Sequence, residues 1–371
     1  MRSLPLLALT GAVCVSALTA CGGSDPAADP AALTVVSTDT ACEVSQKDLA
    51  AGSHTFTLVN KGSKVTEVYF YAPDGKTLSE KENIGPGTSY DITVTLPAGD
   101  QQIGCKPGMV GDGIRQDVKV SGAAAALDPR LVKAVADYRL FIDAQVADTV
   151  TKSEAFVAAV KSGDVAKAKE LYAGSRFGWE SVEPVAESFG DLDPKIDARE
   201  ADLTDEEKAA WTGWHRLEKA LWTDGSVKGQ EETAEQLITD LKDLQSRVHT
   251  VDITPASMAN GAKELLDEVA TGKITGEEEA FSHTDLVDFK ANVDGAFKVY
   301  ELLSPVVKEK DAALAGTLDT AFADVFTALK KHEKGDSYVS YDTVGAADRK
   351  TLTDVVNALG EPLSKLAAAV A

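Results

Sequence analysis

From Leu33 to about Val120 apolar and polar residues alternate with a period of two. The runs HTFTLVN (54–60), VTEVYFYA (65–72) and SYDITVTL (89–96) carry the pattern, and Asn60-Lys61-Gly62, Asp74-Gly75, Gly85-Pro86-Gly87 and Pro97-Ala98-Gly99-Asp100 interrupt it with turn residues. This spacing predicts a small antiparallel β-sandwich of roughly 90 residues. At Asp128-Pro129 the period becomes helical, an N-cap acid followed by proline at the first helical position. Helices are predicted over 129–161, 164–189, 205–223, 229–250, 255–271, 284–303, 306–333 and 346–369, with Gly-, Pro- or Asp-containing breaks between them. Thr204-Asp205-Glu206-Glu207 has the form of a capping box at the head of the third. In the seventh, Val306, Val307, Leu314, Leu318, Phe322, Val325 and Leu329 keep to one stripe, which a bundle of antiparallel helices would bury. The expected fold class is therefore multidomain: a sandwich over 33–121, a linker over 122–128 and an all-α helical bundle over 129–371.

The N-terminus bears on the compartment. Met1-Arg2 precedes an apolar stretch from Leu4 to Leu18 that ends in Leu18-Thr19-Ala20-Cys21. The stretch is short for a membrane span, and its end resembles a bacterial lipobox, in which the cysteine is lipidated and becomes the first residue after cleavage. A plain secretory signal is the alternative. The expectation is a signal peptide over 1–20, a lipid on Cys21, a flexible tether over 21–32 and a protein held at the extracytoplasmic face of the bacterial cell membrane. Cys14 leaves with the signal, so Cys42 and Cys105 remain in the folded part, where an oxidising compartment favours one disulfide. The net charge of −22 repels phosphate backbones and attracts metal cations, which excludes nucleic acid as a partner.

Candidate chemistry centres on Trp211-Thr212-Gly213-Trp214-His215-Arg216-Leu217-Glu218. On a helix His215 and Glu218 stand three apart, so an imidazole nitrogen and a carboxylate oxygen can reach one cation. The same spacing also suits a surface ion pair. Glu180 and Glu183 share a helical face beside Arg176 and Trp179, and carboxylates turned into a bundle require a cation or a proton. The acidic knot Glu277-Glu278-Glu279 reads by itself as a solvated loop. No H-E-x-x-H occurs, and no Ser-His-Asp or Cys-His nucleophile motif presents itself, so peptidase activity is not expected.

The runs RFGWESVEPVAESFGDLDPKIDARE (176–200), GWHRLEKALW (213–222) and KITGEEEAFSHTDLVDFKANVDGA (273–296) resemble the signature segments of the EfeO family of iron-uptake lipoproteins, whose C-terminal part is imelysin-like (M75). The β-rich front end is similar to the cupredoxin-like domain of that family's longer form. The resemblance implies an extracytoplasmic iron-binding component that passes iron to a membrane permease, with that permease and the haem peroxidase of the same uptake system as partners. It carries His215 and Glu218 over as metal ligands, with Glu180, Asp197 and Glu183 completing the site. One imidazole with several carboxylates suits iron, manganese or zinc.

The front domain offers a second possibility. Its single histidine, His54, cannot build a blue-copper centre, which takes two. The resemblance implies instead a second metal site for copper or iron among Cys42, Glu67, Glu82, Cys105 and Met109, and a Cys42–Cys105 disulfide is the competing reading. Two other functions stay open: a copper-dependent redox module that oxidises ferrous iron, and a metal-free polysaccharide-binding or adhesive surface protein.

Overall fold

The alternating segment folds into nine strands: β1 Leu33–Ser37, β2 Cys42–Val44, β3 Asp48–Ala50, β4 Gly52–Asn60, β5 Thr66–Tyr71, β6 Thr77–Ile84, β7 Ser89–Leu96, β8 Gly99–Pro107 and β9 Ile114–Ser121. The computed structural model describes residues 33–371 with the exception of Glu187. The signal sequence, the lipidation of Cys21 and the tether expected for residues 1–32 lie outside the described residues. The strands form two sheets, ordered β2-β1-β4-β7 and β3-β9-β8-β5-β6. Every second residue turns inward, so Val35, Phe56, Leu58, Val68, Phe70, Ile92, Val94, Ile103 and Val118 make one buried core between them.

Most pairings are antiparallel, as the turn signals predict, yet β1 runs parallel to β4 and β3 parallel to β9. The cause is the path of the chain: after β1 and β2 it crosses to the other sheet as β3 and returns to lie beside β1 as β4. Cys42 of β2 and Cys105 of β8 are joined by a disulfide, so the bridge ties one sheet to the other. Both sulfurs are thereby withdrawn from metal binding, because a ligating sulfur must be a free thiolate.

Helices make up most of the rest: α1 Pro129–Ser162, α2 Val165–Glu180, α3 Glu183–Ala186, α4 Asp193–Ile196, α5 Trp214–Lys219, α6 Glu231–Arg247, α7 Pro255–Thr271, α8 Asp285–Lys310, α9 Ala312–Lys330, α10 Ala346–Leu363 and α11 Leu366–Val370, with a short hairpin of Glu333–Lys334 and Ser337–Tyr338 between α9 and α10. Their inward stripes merge into a second apolar core, separate from that of the sandwich. Three expectations change. The helix predicted over 205–223 is broken: the Thr204/Glu207 capping box does form, but it heads only a short 3-10 turn. The chain then bends at Gly213, whose φ of 86° is open to glycine and whose closeness to the Ile196 carbonyl leaves no room for a Cβ. Helix 164–189 likewise stops at Glu180. By contrast α8 runs through Pro305, where a break was expected, because the Ser304 hydroxyl donates to Glu301 O, the carbonyl that proline leaves without its usual donor. The break falls at Asp311, which caps α9 by accepting from Leu314 N.

Sandwich and helices meet along α7. Asn260 donates to Thr93 O and to Ser79 Oγ, and Lys81 of β6 pairs with Asp267 at 3.1 Å. This polar junction holds β6 and β7 along the middle of α7.

The disulfide closes a span of 63 residues, which on the chain-entropy account stabilises the sandwich by about 4 kcal/mol. Protein handled in air is expected to show two titratable thiols only after reduction, with a loss of stability of that order in chemical denaturation. Two free thiols in untreated protein would contradict the bridge.

Candidate metal site

The site grows out of local sequence in several elements. Helix α2 turns Arg176 and Glu180 inward, four residues apart on one face, and Glu183 follows at the head of α3. Asp197 sits at the end of α4. Helix α5, begun afresh by the bend at Gly213, carries His215 and Glu218. Helix α8 contributes Asp285, Asp288 and Asn292, a polar stripe at i, i+3 and i+7 within an otherwise apolar face. The segment Lys273–Thr284 closes the site from outside with Lys273, Glu278 and Glu279.

These side chains are buried, most of them completely. Arg176 lies at their centre. Its guanidinium pairs with Glu180 and Asp197, comes within 2.7 Å of Glu279 and 3.6 Å of Asp288, and lies over the Trp214 ring. Lys273 Nζ reaches Glu180 at 2.6 Å and Glu183 at 2.9 Å. Trp179 Nε1 donates to Asp197 Oδ2 at 2.6 Å, and Asn292 Nδ2 donates to Glu180 O and Oε2. Eight buried carboxyl groups (Glu180, Glu183, Asp197, Glu218, Glu278, Glu279, Asp285, Asp288) thus surround two fixed cations and one imidazole. Such a surplus must be met by protons or by another cation.

The protonation pattern divides the acids. Burial pushes Glu183 and Asp288 well above the carboxylate range, and lifts Glu279 to about 8 and Asp285 to about 6. Burial would raise Asp197 as well, but Arg176 and His215 beside it hold it well below that range. Lys273 and His215 likewise outweigh burial at Glu278 and keep it at about 2. The imidazole answers in kind: burial and Arg176 would strip its proton, yet the carboxylates of Asp197, Glu218 and Glu278 raise its pKa well above the ordinary value.

His215 has two distinct sides. Nδ1 lies 3.1 Å from Glu218 Oε2, while Glu218 Oε1 accepts from the backbone N–H groups of Phe281 and Ser282, so this carboxylate also orients the ring and anchors the closing loop. Nε2 is buried without a hydrogen-bond partner, 3.3 Å from Asp197 Oδ1 and 3.8 Å from Glu278 Oε1. Ligand atoms about 2.1 Å from one ion lie roughly 3 to 4 Å apart, so the spacing of this triad suits a cation, while Asp197 Oδ1 is at present paired with Arg176 and its Oδ2 with Trp179. His215, Glu218 and Glu279 form a second compact group on the Nδ1 side of the ring, and Glu180, Glu183 and Asp197 a third, whose charge is met by Arg176 and Lys273.

All five bundle residues picked out in the sequence converge here, and His215 and Glu218 lie together in one of the compact groups. Glu278 and Glu279 were missed, since a run of three acids reads as a solvated loop; only Glu277 is exposed. Arg176 and Lys273 are their counter-charges. The polar stripe on α8 was the available signal for Asp285, Asp288 and Asn292.

The second site expected in the sandwich is not assembled. Cys105 pairs in register with Val68 and shares its inward face, whereas Glu67 pairs with Lys106, 3.6 Å away, on the outer face. Met109 is exposed on the β8–β9 loop. Glu82 accepts from Tyr69 Oη and lines a cleft toward the helices. With the cysteines bonded to each other and Glu67 on the opposite face, nothing here supports copper.

Sequence comparison agrees with this architecture. The profile of the cupredoxin-like domain matches residues 10–116, and that of the imelysin family matches residues 134–366. The chain is 38% identical over 349 residues to the "iron uptake system component EfeO" of Escherichia coli K12, covering 92% of each protein. It is 49% identical over 239 residues to an "Efem/EfeO family lipoprotein" of Staphylococcus haemolyticus, spanning 64% of this chain and 83% of that one. A cupredoxin-like sandwich followed by an imelysin-like helical domain, matched along nearly the whole length, places the chain in the EfeO family.

Proposed function

We propose that this protein is the extracytoplasmic iron-binding component of an iron-uptake system, taking iron at His215, Asp197 and Glu278 and passing it to a membrane permease. The observation that carries this reading is the buried Nε2 of His215, unpartnered and facing two carboxylates held ionised. In an empty site the imidazolium supplies the positive charge those carboxylates need, and an arriving metal cation replaces its proton. The relatives' names supply the cargo: the E. coli protein is called an iron uptake system component. Imidazole with carboxylates suits iron and its first-row neighbours. Glu180 and Glu183, grouped with Asp197, are the further candidates for the ligand set. The lipid on Cys21, the seat at the outer face of the membrane, and the permease and haem peroxidase as partners belong to the same proposal. It is supported by the Leu-Thr-Ala-Cys motif and by the relative called a lipoprotein.

Replacing the ligand and its orienting partner should have graded effects. His215→Ala is expected to weaken iron binding at least tenfold with helical content unchanged, and Glu218→Gln to weaken it by a factor on the order of ten. Titration calorimetry of the metal and circular dichroism of each variant check this; a His215→Ala protein that binds like wild type would place the site elsewhere.

Binding should also depend on pH with a definite sign. Because the raised pKa of His215 leaves it protonated at neutral pH, metal binding at Nε2 expels that proton. Apparent affinity is therefore expected to climb about tenfold per pH unit between pH 6 and 8 for each proton released. Without metal the sign reverses: the raised folded-state pKa adds stability that is fully present below the unfolded value near 6.5 and fades as pH rises through the folded one. Calorimetry in buffers of different ionisation heat counts the protons, and a pH-independent affinity would exclude His215 as the exchanging group.

A further inference from the structure

Among the described residues, two openings border the cluster. The smaller, about 300 Å³, reaches His215 itself and is lined by Glu200, Glu218, Glu277 and Glu278 against Arg199 and Lys208, with no residue of the sandwich in its wall. The larger, about 650 Å³, lies between the sandwich and the helical domain, and carboxylates outnumber bases along its walls. Its inner wall includes Asp197 and Glu278, which flank the unpartnered Nε2 of His215. Its outer wall includes Asp193, Glu268 and, from the sandwich, Glu82 and Asn83; burial raises the pKa of all three acids, Asp193 to about 7 and Glu268 to about 8, so an arriving cation competes with protons there.

The backbone turns Glu82 this way by a specific device. Lys81 pairs with Val68 and Ile84 with Thr66, so two residues of β6, Glu82 and Asn83, stand opposite Glu67 alone. The extra residue makes a β-bulge, with Asn83 in the left-handed region at a φ of 56°. A bulge bends an edge strand and re-aims a side chain, and a non-glycine residue at positive φ persists only where its surroundings hold it. Tyr69 Oη donates to Glu82 Oε1 at 3.3 Å, while the adjoining Lys81 is pinned to Asp267 of α7. The β6 edge is thus held against the helical domain with one carboxylate in the cleft wall.

We propose that the sandwich forms part of the cation route, with Glu82 as the outer carboxylate that draws iron into the cleft toward Asp197 and Glu278. The proposal rests on the reading of the helical cluster as the iron site. It gives the cupredoxin-like domain a role that needs no metal centre of its own: it supplies one wall of the entrance and the charge that concentrates cations there.

The test uses the full chain mixed rapidly with ferrous iron under anaerobic conditions, or with Mn²⁺ as a probe. Fluorescence of Trp179 and Trp214, which touch Asp197 and Arg176, reports arrival. Glu82→Gln is expected to slow association about threefold and Glu82→Lys about tenfold at low salt, the differences shrinking toward 0.5 M salt as charges are screened. Glu82→Asp should stay within about twofold of wild type. Stoichiometry and melting temperature should remain those of wild type, so a purely structural role for Glu82 would not give this salt dependence. Association by Glu82→Lys at the wild-type rate, in a protein whose binding is lost in His215→Ala, overturns the entrance and leaves the iron site standing. Wild-type binding by His215→Ala overturns both.

Discussion

The structure depends on how charge is held where water is absent. Arg176 is fully enclosed and touches carboxylates from α2, the end of α4, the closing loop and α8, so four separately folded pieces of chain converge on one guanidinium. Its planar fork allows this, since several donors point in fixed directions from a single delocalised charge. An ion cluster of this kind is weak evidence of stability in itself, because withdrawing each group from water costs several kcal/mol. What it does is register the elements: remove the centre and a set of carboxylates is left buried without its counter-charge, at a penalty of about 3 to 5 kcal/mol.

Two fixed cations do not satisfy eight acids. The remainder is handled in two ways, by protons on groups such as Glu183 and Asp288 and by the imidazolium of His215. Asp288 is fully enclosed, while Glu183 and His215 both border open clefts. A site that keeps its ligands ionised and fills the vacant position with a dissociable proton can accept a metal ion without rearranging its helices. It can also return the ion when protons or a better set of ligands compete, which is what a carrier requires. The outer parts serve this centre: the loop over Glu218 fixes the ring, and the sandwich, clamped by its own disulfide and by Lys81 on Asp267, shapes the way in.

Legibility in the sequence followed the range of the interactions. Period-two alternation and the switch at Asp128-Pro129 are local, and both yielded the right elements. The i, i+3 spacing of His215 and Glu218 marked the site for the same reason. The anchoring of the closing loop on Glu218 was hidden, because it depends on Phe281 and Ser282 arriving from far along the chain. Glu278 and Glu279 looked like solvated acids until Lys273, Arg176 and His215 gathered round them. The sandwich site failed on register: only the pairing of β5 with β8 reveals that Cys105 faces in while Glu67 faces out. Gly213 and Pro305 misled in opposite directions, since a tertiary contact with Ile196 bends one helix and a serine hydroxyl carries another past its proline.

The central claim is that a cation sits on the Nε2 side of His215. Anomalous X-ray diffraction from crystals soaked in ferrous iron or manganese tests it most directly. The account predicts a peak about 2.0 to 2.3 Å from His215 Nε2 with oxygens of Asp197 and Glu278 in its shell. A peak on the Glu218 side of the ring, or one confined to the sandwich around Cys42 and Cys105, would contradict it.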